Sequence, residues 1–411
     1  MRRRVVITGM GLVSPLGNEP KLFFRSLMKG HSGLRRLRTT GPRTAGVAIG
    51  GPVEVNVASQ FPRPRLAMLD RFSQLALIAV RQALADSPGD PAAADRRGVY
   101  VGTAFGPVQT QEQMLRNRSD GSLGLMRYPL LKAMSGCAAS QIAAEIGAHG
   151  PSLTYSSACA SSAIAIGEAF RAIQHGYIDW AVAGGAESQL NIAGTRAWTS
   201  MRVLASEDPE DASRSCRPFS RDRTGLVLGD GAGMIVLESL ESARQRHAPV
   251  LAELAGFGCA SDAVEISKPS LAGQARAMQA ALDDARVDPQ DVDYINAHGT
   301  GSVVGDLVET LAIHRVFGSA ARLVPVSSTK SMHGHLMGAS AAVELIACVM
   351  ALNEQAIPPT ANLRVPDPEC DLDYVPDTGR PATLRVTLSN TFAFGGTNAS
   401  LMLRRTPERH P

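Results

Sequence analysis

Short apolar runs ending in glycine-rich turns recur along the whole chain, and helical patterns separate several of them. The runs include RRVVITGMG, RGVYVGTAFG, WAVAGGAES, GMIVLES, VDYINAHGTG, VPVSSTKS and LRVTLSN, while FSQLALIAVRQALAD and LVETLAIHRVFG carry helical spacing. Apolar runs of this kind belong to strands covered on both faces, so the alternation predicts an α/β architecture with buried sheets. With 411 residues, 44% of them hydrophobic, the chain can bury a large core in one big or two medium domains.

Two internal echoes sharpen that reading. GPSLTYSSACASSAIAIGEAFRAI and VPVSSTKSMHGHLMGASAAVELIACVMAL each run from a strand through a small polar loop into a helix rich in small residues, and VVITGMG near the N-terminus pairs with AELAGFG at 252–258. Two related halves are expected, residues 1–250 and 251–411.

Charge and cysteine usage exclude several classes. Lys+Arg total 41 against 38 Asp+Glu, a net +3, which carries no nucleic-acid signature. The six cysteines are scattered without a CxxC pair, which points to reduced thiols and a cytoplasmic protein. The start MRRRVVITGMGLVSPLG imitates a secretory leader, but Thr8 interrupts the apolar run and no cleavage signal follows, so Val5–Thr8 reads as a strand. No stretch is expected to span a bilayer, which takes about 20 apolar residues.

Cys159 sits among small residues where an extended run turns into a helix carrying Ile164, Ile166, Phe170 and Ile173, apolar on more than one face and so interior. At a helix start the free N–H groups and the dipole favour a thiolate, making Cys159 a candidate nucleophile; a small buried hydrophobe is the alternative. His298 ends a strand beside a Gly-Thr-Gly turn, and STKSMHGHLMGASAAVE offers Lys330, His333, His335 and Glu344. Phe394, Gly395 and Gly396 form a turn before a β-like run.

Taken together, SSACASS, NAHGT, STKSMHGHLMGASAAVE, SNTFAFGGTN and the opening VVITGMGLVSPLGN resemble the elongating β-ketoacyl-acyl-carrier-protein synthases over essentially the whole chain. The resemblance implies a thiolase-like fold of two pseudo-symmetric βαβαβαββ halves in five α-β-α-β-α layers, usually dimeric. It implies that Cys159 takes an acyl group from a carrier-protein thioester, and that His298 and His335 assist decarboxylation of malonyl-carrier protein. It further implies that Lys330 and Glu344 pair behind the histidines, and that the N–H groups of Cys159 and Phe394 form an oxyanion hole in a gating turn with Phe392. Thr300 and Ser302 would contact the phosphopantetheine arm, with His333 a bystander. Neither a cofactor nor a metal is expected, although Cys with two His is also a zinc-ligand set.

This chain departs from the family pattern at three places. Gly301, Ser302 and Val303 stand where Ser-Thr-Pro is usual, Ala393 replaces a glycine of the gating turn, and Phe105 replaces a smaller aliphatic residue near the acyl pocket. If position 393 needs a positive φ, Ala is disfavoured there. Arg202 is the expected docking point for an acidic acyl carrier protein, with Arg63, Arg65, Arg71 and Arg127 weaker candidates. The partner protomer could be identical or a related ketosynthase-like subunit. Two other readings remain open: a catalytically weak chain-length-factor-like subunit, which Cys159 opposes, and a thiolase, which would want a second cysteine where Phe394 stands.

Overall fold

The computed structural model describes residues 2–37, 49–89, 92–119 and 126–406. Its central feature is a hydrogen-bonded succession of ten strands. The first five are β1 (Val5–Val13), β2 (Arg97–Gly102), β3 (Ser152–Tyr155), β4 (Trp180–Glu187) and β5 (Gly231–Ser239). The second five are β6 (Ala252–Ser261), β7 (Tyr294–Asn296), β8 (Val326–Ser327), β9 (Val386–Phe392) and β10 (Thr397–Arg404).

Across the sheet the first set lies in the order β3-β2-β4-β5-β1 and the second in the order β8-β7-β9-β10-β6, one arrangement used twice. The strand senses repeat as well. In each set the two outer pairings are parallel and the two inner pairings antiparallel. The echo between VVITGMG and AELAGFG marks the first strand of each set, and these two strands join the halves, with Val5–Ile7 antiparallel to Ala252–Leu254.

Six helices complete two βαβαβαββ units. They are α1 (Arg71–Asp86), α2 (Cys137–Ile146), α3 (Ser161–Gln174), α4 (Leu271–Ala285), α5 (Val303–Phe317) and α6 (Ser340–Glu354). Asp70 starts α1 by accepting the Phe72 N–H, and the α1 side chains Phe72, Leu75 and Val80 lie in one core with Ile142 of α2. Along the strands of the first half, successive residues alternate between that core and a second one. Val99, Val101, Val182 and Val236 face α1 and α2, while Tyr100, Ala181, Ala183, Ile235 and Leu237 face α3 and α6. A third core holds Met278 and Leu282 of α4 with Ile313 and Phe317 of α5 against Val326, Leu388 and Met402. Three cores separate five layers, so both faces of each half-sheet are covered and its strands read as unbroken apolar runs.

Helices α3 and α6 form the middle layer, which explains their composition. Every residue from Ser340 to Leu352 is buried. Met337–Glu354 is long and apolar enough to cross a membrane by length and composition, and 89% of it is buried inside the fold. A helix sealed between two sheets needs the same all-round apolar surface as one sealed in lipid.

Candidate active site

The N-terminal ends of the middle helices lie beside the candidate catalytic residues. Strand β3 enters a tight turn in which Ala158 takes a left-handed φ of 46°, and Cys159 follows, separated from α3 only by the N-cap residue Ala160. Ser161 braces this elbow, its Oγ donating to Ala158 O at 2.6 Å while accepting the Ser157 N–H at 2.9 Å. Gly102 of β2 lets the sheet pass beneath, because a Cβ there would meet the carbonyl carbon of Ser161 at 2.3 Å. Small residues surround Cys159 because strand, elbow and helix start crowd into one place.

The second half brings its loops to the same point. His298 leaves β7 on a loop held by Glu309 of α5, whose carboxylate accepts the N–H groups of His298 and Gly299, both at 2.8 Å. His335 lies in the loop before α6, with Nε2 2.9 Å from Cys159 Sγ. One ligand-capable atom from each of Cys159, His298 and His335 lies within 4.8 Å of the others, and the imidazole rings stand edge to face with centroids 5.4 Å apart.

These groups line the floor of a cavity of about 330 Å³. Thr300, Ser302, Phe392, Phe394 and Arg202 also line it. Gly301 adopts φ 86°, and a Cβ at that residue would press on Gly225 O at 2.7 Å, so the departure at this position suits a left-handed backbone beside another chain segment. Ala393 has no positive φ, unlike Gly395 at 90° and Gly396 at 79°; the strain expected at Ala393 is absent because the turn places its left-handed residues two positions later.

Phe105 is placed differently from the expectation of an acyl-pocket residue. It is 47% exposed and does not line the cavity; its ring meets Trp198 edge-on at 6.1 Å, and Trp198 in turn lies 6.0 Å from Phe394. Arg202, Arg63 and Arg127 are exposed, whereas Arg65 pairs with Glu145 and Arg71 is partly buried. His333 spends its ring nitrogens on Gly334 O and Thr329 Oγ1 and takes no part in the cluster.

Burial dominates the electrostatics of these groups. Cys159 is 1% exposed, and burial pushes its thiol up to about 12, against the N–H groups of Phe394 and Cys159 itself and the charge of Lys330. Desolvation therefore opposes the helix-start donors that favour a thiolate. Burial, and then the Lys330 charge, hold His298 and His335 well below the usual imidazole range, so both rings are neutral. Lys330 Nζ is 2.5 Å from Glu344 Oε1 with both side chains sealed from solvent, and burial pushes Glu344 up to about 7 despite that partner. Removing the pair as Lys330→Met with Glu344→Gln should let both histidine pKa values rise toward the ordinary range. An NMR titration of the rings reads this directly, and unmoved resonances would reject Lys330 as their electrostatic controller.

Glu309, Glu187, Trp198 and Ser340 were not singled out from sequence. Glu187, at the end of β4, accepts N–H groups from Ala104, Phe105, Gly106 and Gly338, thereby tying a first-half loop to the turn that follows His335. Burial pushes Glu187 and Glu309 up to about 7. Glu187 reaches Gly338, 151 residues away in sequence, so no local pattern marks it, whereas Glu309 holds His298 and Gly299 only 11 and 10 residues before it.

Residues 2–243 match the family described as beta-ketoacyl synthase, N-terminal domain, and residues 251–364 match beta-ketoacyl synthase, C-terminal domain. The chain belongs to the beta-ketoacyl synthase family. The synthase is 42% identical over 410 residues to nodulation protein E of Rhizobium sp. (strain N33), covering 98% of this chain and 100% of that protein. It is 38% identical over 411 residues to 3-oxoacyl-[acyl-carrier-protein] synthase 2 of Staphylococcus aureus (strain COL), covering 98% of each. A solved type II polyketide ketosynthase, in complex with its acyl-carrier protein and bound to the hexaketide, superposes with a TM-score of 0.92 at 30% identity. The match covers 99% of this chain and 100% of that one.

Proposed function

We propose that this synthase catalyses decarboxylative Claisen condensation of an acyl group with malonyl-acyl-carrier protein, giving 3-oxoacyl-acyl-carrier protein in fatty-acid or polyketide biosynthesis. The convergence of Cys159, His298 and His335 on one cavity floor supports this reading most directly. Residues 1–250 supply the nucleophile and residues 251–411 the two histidines.

In the first half-reaction Cys159 Sγ forms a bond to the acyl carbon as the pantetheine C–S bond breaks, and the thiol proton leaves with the departing pantetheine sulfur. The N–H groups of Cys159 and Phe394 face the oxyanion of the tetrahedral intermediate. Malonyl-carrier protein then enters, and carbon dioxide departs. The electrons of the broken C–C bond move into an enolate whose oxygen accepts hydrogen bonds from His298 and His335. The enolate carbon attacks acyl-Cys159, the C–S bond breaks, and the sulfur regains a proton from solvent. Thr300 and Ser302 line the passage taken by the pantetheine arm, and Phe392 and Phe394 flank the nucleophile as its gate. No separate cofactor is required, because the arm arrives on the carrier and decarboxylation generates the nucleophilic carbon. The enzyme works in the cytoplasm as a homodimer or beside a related subunit. A catalytically weak chain-length role is disfavoured by the intact nucleophile and both histidines.

The deciding experiment incubates the protein with acyl- and malonyl-carrier proteins, locates the adduct by peptide mass spectrometry and follows carbon dioxide and 3-oxoacyl product. An adduct on Cys159 with product formation is expected; acylation of another cysteine, or no product, would reject the reading.

Arg202 lines the cavity and is exposed to solvent. An acidic carrier docking there predicts that Arg202→Glu raises KM for carrier-bound substrates by about tenfold while sparing small thioester mimics, and that salt weakens binding to the wild type. Equal effects on both substrate types would remove Arg202 from docking.

A further inference from the structure

The two histidines on the cavity floor are held differently. His298 Nδ1 is buried without a hydrogen-bond partner among the described residues. His335 Nδ1, by contrast, lies 2.9 Å from the hydroxyl of Ser340, the first residue of α6, which is itself fully buried.

The other contact of that hydroxyl decides its direction. Ser340 Oγ accepts the Leu336 N–H at 2.8 Å, which leaves its single hydrogen to be placed. If the hydroxyl donates to His335 Nδ1, all three groups are satisfied and the imidazole proton sits on Nε2. If Nδ1 carried the proton instead, it would donate to Oγ, and the hydroxyl hydrogen would be left in a buried place with no other partner among the described residues. His335 Nε2 is the nitrogen that faces Cys159 Sγ.

We propose that Ser340 is a positioning residue that locks His335 in the Nε2–H tautomer, making it a hydrogen-bond donor to the reacting thioester and not a base toward the Cys159 thiol. This rests on the condensing-enzyme reading above. A fixed donor serves the enolate formed on decarboxylation, where a tautomer presenting a lone pair would repel the developing charge. Acyl transfer does not draw on it in the same way, because the N–H groups of Cys159 and Phe394 already face the oxyanion of that step. Ser340 therefore separates the two half-reactions without touching substrate.

The test uses the full-length protein, with Ser340→Ala and the hydroxyl-retaining Ser340→Thr compared with wild type. Malonyl-carrier decarboxylation without acyl donor and Cys159 acylation are timed separately. Ser340→Ala should slow decarboxylation by about tenfold or more while acylation stays within about twofold, and Ser340→Thr should recover most of the loss. Equal slowing of both steps, or no change in either, would overturn the assignment. A second measurement needs no variant at position 340: in 15N-histidine-labelled wild type, with His335 assigned by its disappearance in His335→Gln, Nε2 should show a protonated-nitrogen resonance and Nδ1 an unprotonated one. The opposite tautomer would also overturn it. Wild type that neither decarboxylates malonyl-carrier protein nor acylates Cys159 would refute the condensing-enzyme reading, a failure distinct from a Ser340 variant that behaves as wild type.

Discussion

A Cys159→Ala protein is expected to take up no acyl group from any carrier and to form no condensation product, while keeping its fold. The first half follows from position. No other described cysteine lies on the cavity floor: Cys137, Cys216, Cys348 and Cys370 are buried elsewhere, and Cys259 is exposed on β6. The second half follows from size, because the elbow is packed around small residues and alanine creates little new space there. Malonyl decarboxylation should persist in this variant, since both histidines and the N–H of Phe394 remain in place. Intact-protein mass spectrometry, carbon dioxide release, 3-oxoacyl product analysis and a thermal melt together check these four expectations. Acyl label retained by the variant would move the nucleophile elsewhere, and a collapsed melt would show that the thiol has a packing role that its small size does not suggest.

What could be read in the sequence was whatever local pattern encodes. Buried strands announce themselves as apolar runs, and the repeated strand-loop-helix units already pointed to two halves. Cys159 was visible because small residues clear a space around it, and His298 because it ends a strand at a glycine turn. The order of the strands was not legible, since pairing β2 between β3 and β4 is a property of packing with no trace in any single segment. Nor were the buried carboxylates that hold the site together. Glu187 and Glu309 are needed for the N–H groups they accept from separate loops, and those donors carry no side-chain signature. The desolvation that opposes a Cys159 thiolate is hidden for the same reason: a helix start is a local feature, whereas desolvation depends on the loops that close over it. Phe105 shows the limit in another form, because a substitution can be seen in sequence while the direction of its ring cannot.

The converse of the cysteine variant is a pair of histidine variants that acylate but do not decarboxylate. In the proposed second half-reaction the enolate oxygen gains nearly a full charge beside Cys159 and His335, which are buried, so each donor lost is felt strongly. His298→Ala and His335→Ala should each lower malonyl decarboxylation by about 10²-fold or more. Acylation of Cys159 should fall less, because its oxyanion is met by backbone N–H groups that no side-chain substitution removes. The two losses should also combine unequally. With rings 5.4 Å apart and directed at one oxygen, the histidines form a single site, and the double variant should be far less impaired than the product of the single effects. Neutral rings donate as well at pH 6.5 as at pH 8, because burial and Lys330 keep both pKa values well below the ordinary histidine range. Wild-type decarboxylation should therefore show no break near 6.5 as the pH falls through that value. Single-turnover assays of both half-reactions across that interval would test this, and near-normal decarboxylation in either alanine variant would take that histidine out of the enolate site.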